Sequence, residues 1–316
     1  MSTARAKFLL NMRAALDAAR DQLLLDNATD PAERRNAARL LRNGLAVTSF
    51  AAFEMFVRDR LNEIATWLTS QSIPFSAFPT GLQSAPQRRA PGILRLLMER
   101  EPNSAIVATA YQELGASWSQ AQGGGGWTIP HVSLLWEGSN LSAGVMLEIT
   151  TMFGGPTQWG DMSGIAKGAG FAVLPTSQLF DQIAKRRHSS AHNAAFDADI
   201  LLLRATPSYL TSHAFAIDAA LSAAARHIAQ NVTAPTGRNL VSLTTLDQSA
   251  SDPNEWALNS GFLDSGTPPV ATIIAGSESA VTMSARRSLT APTDVLQLRK
   301  WSGSTLETTD WFTMGV

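Results

Sequence analysis

The chain has 316 residues, 45% hydrophobic and 16% charged, which is apolar enough for a core and rules out wholesale disorder. Lys and Arg number 25 against 26 Asp and Glu, so no global basic excess marks a nucleic-acid binder and any such binding rests on a local site. The absence of cysteine excludes disulfide scaffolds, thiol nucleophiles and cysteine-based metal sites, and suits a cytoplasmic protein.

In chain order, residues 1–27 carry charges every few positions and lack the apolar stretch of a signal peptide. No run of about 18 apolar residues follows, so no membrane span is expected. Residues 3–26 predict a first helix. Asp30 as cap, Pro31 in the first turn and Glu33 as capping-box partner predict a second, running to about Leu68. Phe50, Phe53, Val57, Leu61, Ile64 and Leu68 form one helical stripe along it. Residues 69–92, rich in Pro and Gly, predict a loop. Short helices follow at 92–101 and 103–118, then a glycine run at 123–126. Ser139–Ser142 starts a helix to about Phe153, and 154–175 reads as irregular. Another helix starts near Ser177, and Pro207 precedes a last one at about 208–231.

After residue 232 the pattern changes. Residues 233–238, with Pro235 and Gly237, predict a linker. Strands are expected at 239–246, 269–275, 280–286, 294–301 and 305–314. Charge divides there too: residues 1–236 hold 20 Lys and Arg against 18 Asp and Glu, and residues 237–316 hold 5 against 8. The expected fold class is α+β: an all-α bundle over residues 1–232, then a small antiparallel sandwich or barrel over 239–316, separable from the bundle.

The stretch most suggestive of chemistry is Lys185-Arg-Arg-His-Ser-Ser-Ala-His-Asn193. On a helix His188 and His192, four apart, share a face. With Arg187 and the Asn193 amide they bring together permanent charge, a fork of donors suited to phosphate, and groups that exchange protons near neutral pH. Phosphodiester transfer needs these. A basic helix end favoured by the helix dipole accounts for the same residues. A metal half-site lacks the Glu expected after His188 and an obvious third ligand, although Asp197 lies five residues beyond His192. Glu54 sits on the apolar stripe of the second helix. It either pairs locally with Arg58 or orients Arg187 or a motif histidine. Trp118, Trp127, Trp136 and Trp159 read as core, and His131, His213 and His227 as isolated.

Arg187 to His192 resembles the Arg-x4–6-His motif of the HEPN superfamily, in particular its RiboL-PSP branch and a related one. The run from Leu40 to Leu61, with Glu54 inside it, is similar to the family's long early helix. Gly138 to Phe153 resembles the stretch upstream of its motif. His188 stands where the family commonly has Asn or another polar residue. The resemblance covers residues 3–230 and implies a helical bundle that dimerises with two motifs across one cleft. It further implies a metal-independent endoribonuclease, without cofactor, acting on single-stranded or loop RNA as a toxin or in anti-phage defence. Its partners would be a second copy of the chain and an antitoxin or a phage-derived trigger protein. Arg187 and His192 carry the implied catalysis, with Arg186 as the alternative arginine and His188, Asn193 and Glu54 in support. Which histidine moves the proton stays open. Other members keep the fold and only bind nucleotide or a protein partner.

Overall fold

The computed structural model describes residues 2–313, apart from 22, 23, 26–28, 101, 102, 138–140, 233, 235, 236, 261–269, 288, 290, 292, 303 and 304. Much of the expected linker, with Pro235, and the start of the Gly138–Ser142 stretch lie outside the described residues. Helices α1 (Thr3–Ala19), α2 (Ala32–Ser70), α3 (Thr80–Arg88), α4 (Ala90–Arg100), α5 (Ser104–Gln122), α6 (Ala143–Met152), α7 (Trp159–Gly168), α8 (Ser177–His192) and α9 (Ile200–Ala229) precede the first strand. Then come β1 (Ser242–Gln248), β2 (Glu255–Ser260), β3 (Val270–Ala275), α10 (Glu278–Arg287), β4 (Asp294–Ser302) and β5 (Thr305–Thr313). The α+β order matches the expectation.

At the centre α2 lies between α1, α8 and α9. Every residue of its expected apolar stripe is buried. An aromatic chain carries this packing outward. Phe8 of α1 meets Phe56 at 4.8 Å between centroids, Phe180 of α8 meets Phe50 and Phe53 at 5.6 Å, and Phe215 of α9 meets Trp311 of β5 at 5.6 Å. Among the described residues α2 is also the one helix long and apolar enough to cross a membrane. Here its apolar side is core, and it buries Arg42, Glu54 and Arg60 as well.

Several expectations need correction. The second helix begins on Pro31 without a side-chain cap, so Asp30 does not play that part. The expected loop at 69–92 contains α3, with Pro86 buried inside it. Its Gly81 packs so closely on α6 that a Cβ would stand 2.8 Å from the Met152 Cα, which explains a glycine inside a helix. The irregular stretch at 154–175 contains α7. Pro207 lies within α9 rather than before it. The lost hydrogen bond and ring clash cost about 3 kcal/mol, and the almost continuous burial of Leu210–Ile228 opposes that cost. Residues 280–286 are helical: Val281 and Ala285, four apart, bury one face of α10, Glu278 opens it, and Arg286 and Arg287 close it in keeping with the helix dipole.

The strands form one five-stranded sheet in the order β3-β2-β1-β4-β5, not a sandwich or barrel. It is mixed, because β1 and β4 run parallel and the other pairs antiparallel. The parallel pair sets Asp247 opposite Arg299, which bridge at 2.6 and 2.5 Å. One face, with Leu246, Trp256, Leu296, Leu298 and Phe312, packs on α10. The other face, with Leu243, Val295 and Trp311, enters the helical core. Helices and sheet therefore share one core, contrary to the expectation of a separable module.

A polar network crosses that junction. Asp218 of α9 is fully buried and accepts from Arg60 Nε at 2.6 Å, Ser222 Oγ at 2.9 Å and Trp311 Nε1 at 2.7 Å. Arg60 also bonds Glu63 at 3.0 Å, and Arg5 pairs with Asp310 at 2.9 Å. Burial alone would raise the Asp218 carboxyl, but Arg60 and Arg5 outweigh it and hold the group below the usual carboxylate range. Glu63 is likewise held low, by Ser2, Thr3, Ala4 and Arg60, against the burial that raises it. For Arg5 and Asp310 burial wins on both sides, lowering the arginine and raising the carboxyl.

Asp218→Asn should cost about 3 kcal/mol in denaturant unfolding, because it leaves the buried Arg60 with only the partly exposed Glu63 as counter-charge. Wild-type stability in that variant would mean the pair is not the keystone proposed. A depressed carboxyl contributes stability that is complete above its unfolded value, near 4, and lost as pH falls through its folded value. The contribution of Asp218 and Glu63 should therefore vanish only below about pH 4. A chain ended at residue 236 should lose cooperative unfolding, since it uncovers the side of α9 that Trp311 covers.

Candidate functional site

Helix α8 starts on a Thr176 cap, whose side chain accepts from Leu179 N, and buries Phe180 and Ile183 against α2. Its last turns carry the suspected motif. His188 and His192 are both exposed on one face, with ring centroids 4.6 Å apart at 49°. No hydrogen bond engages either ring among the described residues. Arg187 is half-buried, and its Nε is enclosed without a partner. Arg186 instead lines a small crevice with Ala46 of α2 and Asp199 and Leu203 at the start of α9. The two arginines thus diverge.

Glu54 lies in the core near the motif, within the field of Arg187. It is 7% exposed, and its Oε1 accepts from the Leu141 amide at 2.7 Å, just before α6. Burial pushes its carboxyl above the usual range. The Leu141 amide and the guanidiniums of Arg187 and Arg58 pull it back. Arg58 itself stacks on Trp136, its guanidinium carbon 4.7 Å from the ring centroid. Among the described residues neither arginine forms an ion pair with Glu54; its one hydrogen bond goes to the backbone that starts α6, and Arg187 and Arg58 act on it through their charge alone.

Asn193 closes α8. Its amide donates to Ser189 O at 2.9 Å and its Oδ1 accepts from Ala195 N at 3.0 Å, so the side chain shapes the turn. The residues that hold this turn escape sequence reasoning. Arg42 bonds both Asp197 oxygens at 2.7 Å and Leu24 O at 2.6 Å. Asn43 donates to Phe196 O at 2.7 Å and accepts from Ala198 N at 3.1 Å. The one available signal is a polar Arg42-Asn43 pair interrupting the apolar run of α2. Asp199 then caps α9 by accepting from Leu201 N at 2.7 Å.

Asp197 is engaged by Arg42, and among the described residues no group of three or more His, Asp or Glu side chains is placed to hold a metal. Of the isolated histidines, His213 is buried and meets Tyr209 O at 2.7 Å, its imidazole lowered by desolvation, while His131 faces Glu113 at 3.4 Å. Trp127 and Trp136 are core and Trp118 is half-exposed. Compared with known proteins, the chain matches no family model, no curated protein and no solved structure.

Arg187→Ala should raise the Glu54 carboxyl further, because a nearby cation that favours the charged form is removed. Carbon-13 NMR titration of the side-chain carboxyls reads this directly. An unchanged Glu54 titration would mean that the two groups do not interact.

Proposed function

We propose that the chain is a HEPN-type, metal-independent endoribonuclease. The observation that carries the reading is the end of α8, where two exposed imidazoles in contact stand on the same last turns of the helix as the half-buried Arg187. In the proposed reaction the 2′-hydroxyl of RNA attacks the adjacent phosphorus. A histidine, His192 by its motif position or His188, takes the hydroxyl proton, and the Arg187 guanidinium stabilises charge on the phosphorane-like transition state. The bond to the 5′-oxygen breaks as that oxygen receives the proton the histidine took, giving a 2′,3′-cyclic phosphate and a 5′-hydroxyl. Single-stranded or loop RNA suits this chemistry, since its bases and 2′-hydroxyls are accessible. The same reading gives a cytoplasmic homodimer, active as a toxin or in anti-phage defence and governed by an antitoxin or a phage-derived trigger.

One observation favours a second reading, a non-catalytic HEPN domain that binds nucleotide or a protein partner. A general base is ordinarily oriented by a hydrogen bond, and neither imidazole has one among the described residues.

Labelled single-stranded RNA incubated with the protein in EDTA separates the two. Under the first reading cleavage proceeds, and His192→Ala and Arg187→Ala each lower it by about 10²-fold or more. The double variant falls far short of the product of the two losses, because the groups act as a unit. Intact RNA with the wild-type protein would leave the second reading standing.

A further inference from the structure

Helices α3 and α6 meet at one end and part at the other. Where they meet, Gly81 lies against the Met152 backbone with no room for a larger residue. Toward the start of α6 a Cβ on Gly144 would find only Ser142 Oγ, at 3.9 Å. The space between the helices is a groove of about 460 Å³. Leu147 and Ala85 supply apolar wall, Ser84 and Thr151 supply hydroxyls, and the Arg89–Glu148 ion pair crosses between the helices. Arg88 stands at the edge, exposed and without an ion pair among the described residues.

Two features bear on what fits. The volume falls in the range of small-ligand sites, about 300–1,000 Å³, and an apolar wall with a few convergent polar groups is their usual lining. It also suits a single nucleotide and is too small for a duplex. The α6 wall of the groove also joins the candidate site along the chain. Gly144 lies three residues beyond Leu141, whose amide bonds Glu54, the carboxylate in the field of Arg187.

We propose that this groove binds one nucleoside unit of an RNA strand, flanking the phosphate at Arg187; the inference rests on the ribonuclease reading. The base lies on Leu147, the Ser84 and Thr151 hydroxyl oxygens, whose protons go to Gly81 O and Pro156 O, accept from its edge, and Arg88 meets a backbone phosphate as a free guanidinium does best. Substrate selection then has a physical seat outside the motif.

Two binding measurements on the full chain test this. One is saturation-transfer NMR with adenosine or uridine 5′-monophosphate. The other is anisotropy of a labelled single-stranded oligodeoxyribonucleotide, which lacks the attacking 2′-hydroxyl. Ser84→Leu fills the groove, and Arg88→Glu, at an exposed position, reverses the charge without touching the core. Each should abolish the monophosphate signal and weaken oligonucleotide binding about tenfold. Wild-type behaviour of both variants, or no monophosphate binding by the wild-type protein, overturns the groove assignment even if RNA is cleaved. If RNA survives in EDTA while the monophosphate signal is present and lost in both variants, the ribonuclease reading fails and the groove stands as a nucleotide site.

Discussion

The carboxylate of Asp218 is the fixed point about which helices and sheet are arranged. Fully buried and charged, it is tolerable only because three elements supply donors: Arg60 from α2, Ser222 from its own helix and Trp311 from β5. Removing any of them leaves a buried charge partly unsatisfied, which costs far more than the net contribution of the intact pair. Such a pair specifies an arrangement more than it adds stability. The register of β5 is pinned to α9 by one indole N–H, and α2 to α9 by one guanidinium. The pair of Arg5 and Asp310 nearby is less well compensated, since burial moves both groups toward their neutral forms.

Helix α2 distributes these constraints. Arg60 engages the sheet junction, Glu54 the start of α6, and Arg42 with Asn43 the turn after α8. From Arg42 to Arg60 is about 27 Å of helix. The turn after α8 is thus held to this rod by the Arg42–Asp197 pair and by Asn43.

How much of this was legible depends on the range of the interaction. The stripe from Phe50 to Leu68 and the adjacency of His188 and His192 follow from helical periodicity, and the structure has both. Helix α3 was hidden because Gly81 and Pro86 read as breakers, while the reason for Gly81, close packing on α6, lies about seventy residues away in Met152. Residues 280–286 alternate well enough to pass for a strand, but the neighbours that bury Val281 and Ala285 come from a sheet whose order the sequence does not reveal. Strand β2 went unseen because it is short and buries little beyond Trp256. Arg42 and Asp197 are 155 positions apart, and no local pattern joins them. Glu54 was legible as a polar residue on an apolar face, although its hydrogen bond to Leu141 was not.

The reach of Trp311 into the helical core bears on the order of folding. A chain emerging from the ribosome at about 5–20 residues per second releases α1, α2 and α9 well before β5. During that interval Asp218 and Arg60 have each other but not the indole, and the side of α9 beneath the sheet is wet. The long-range pairing of β1 with β4, across β2, β3 and α10, carries a loop-closure cost that local helix contacts and the β4–β5 hairpin do not. Until β5 has left the ribosome, the buried carboxylate therefore lacks one of its three donors, the Trp311 indole.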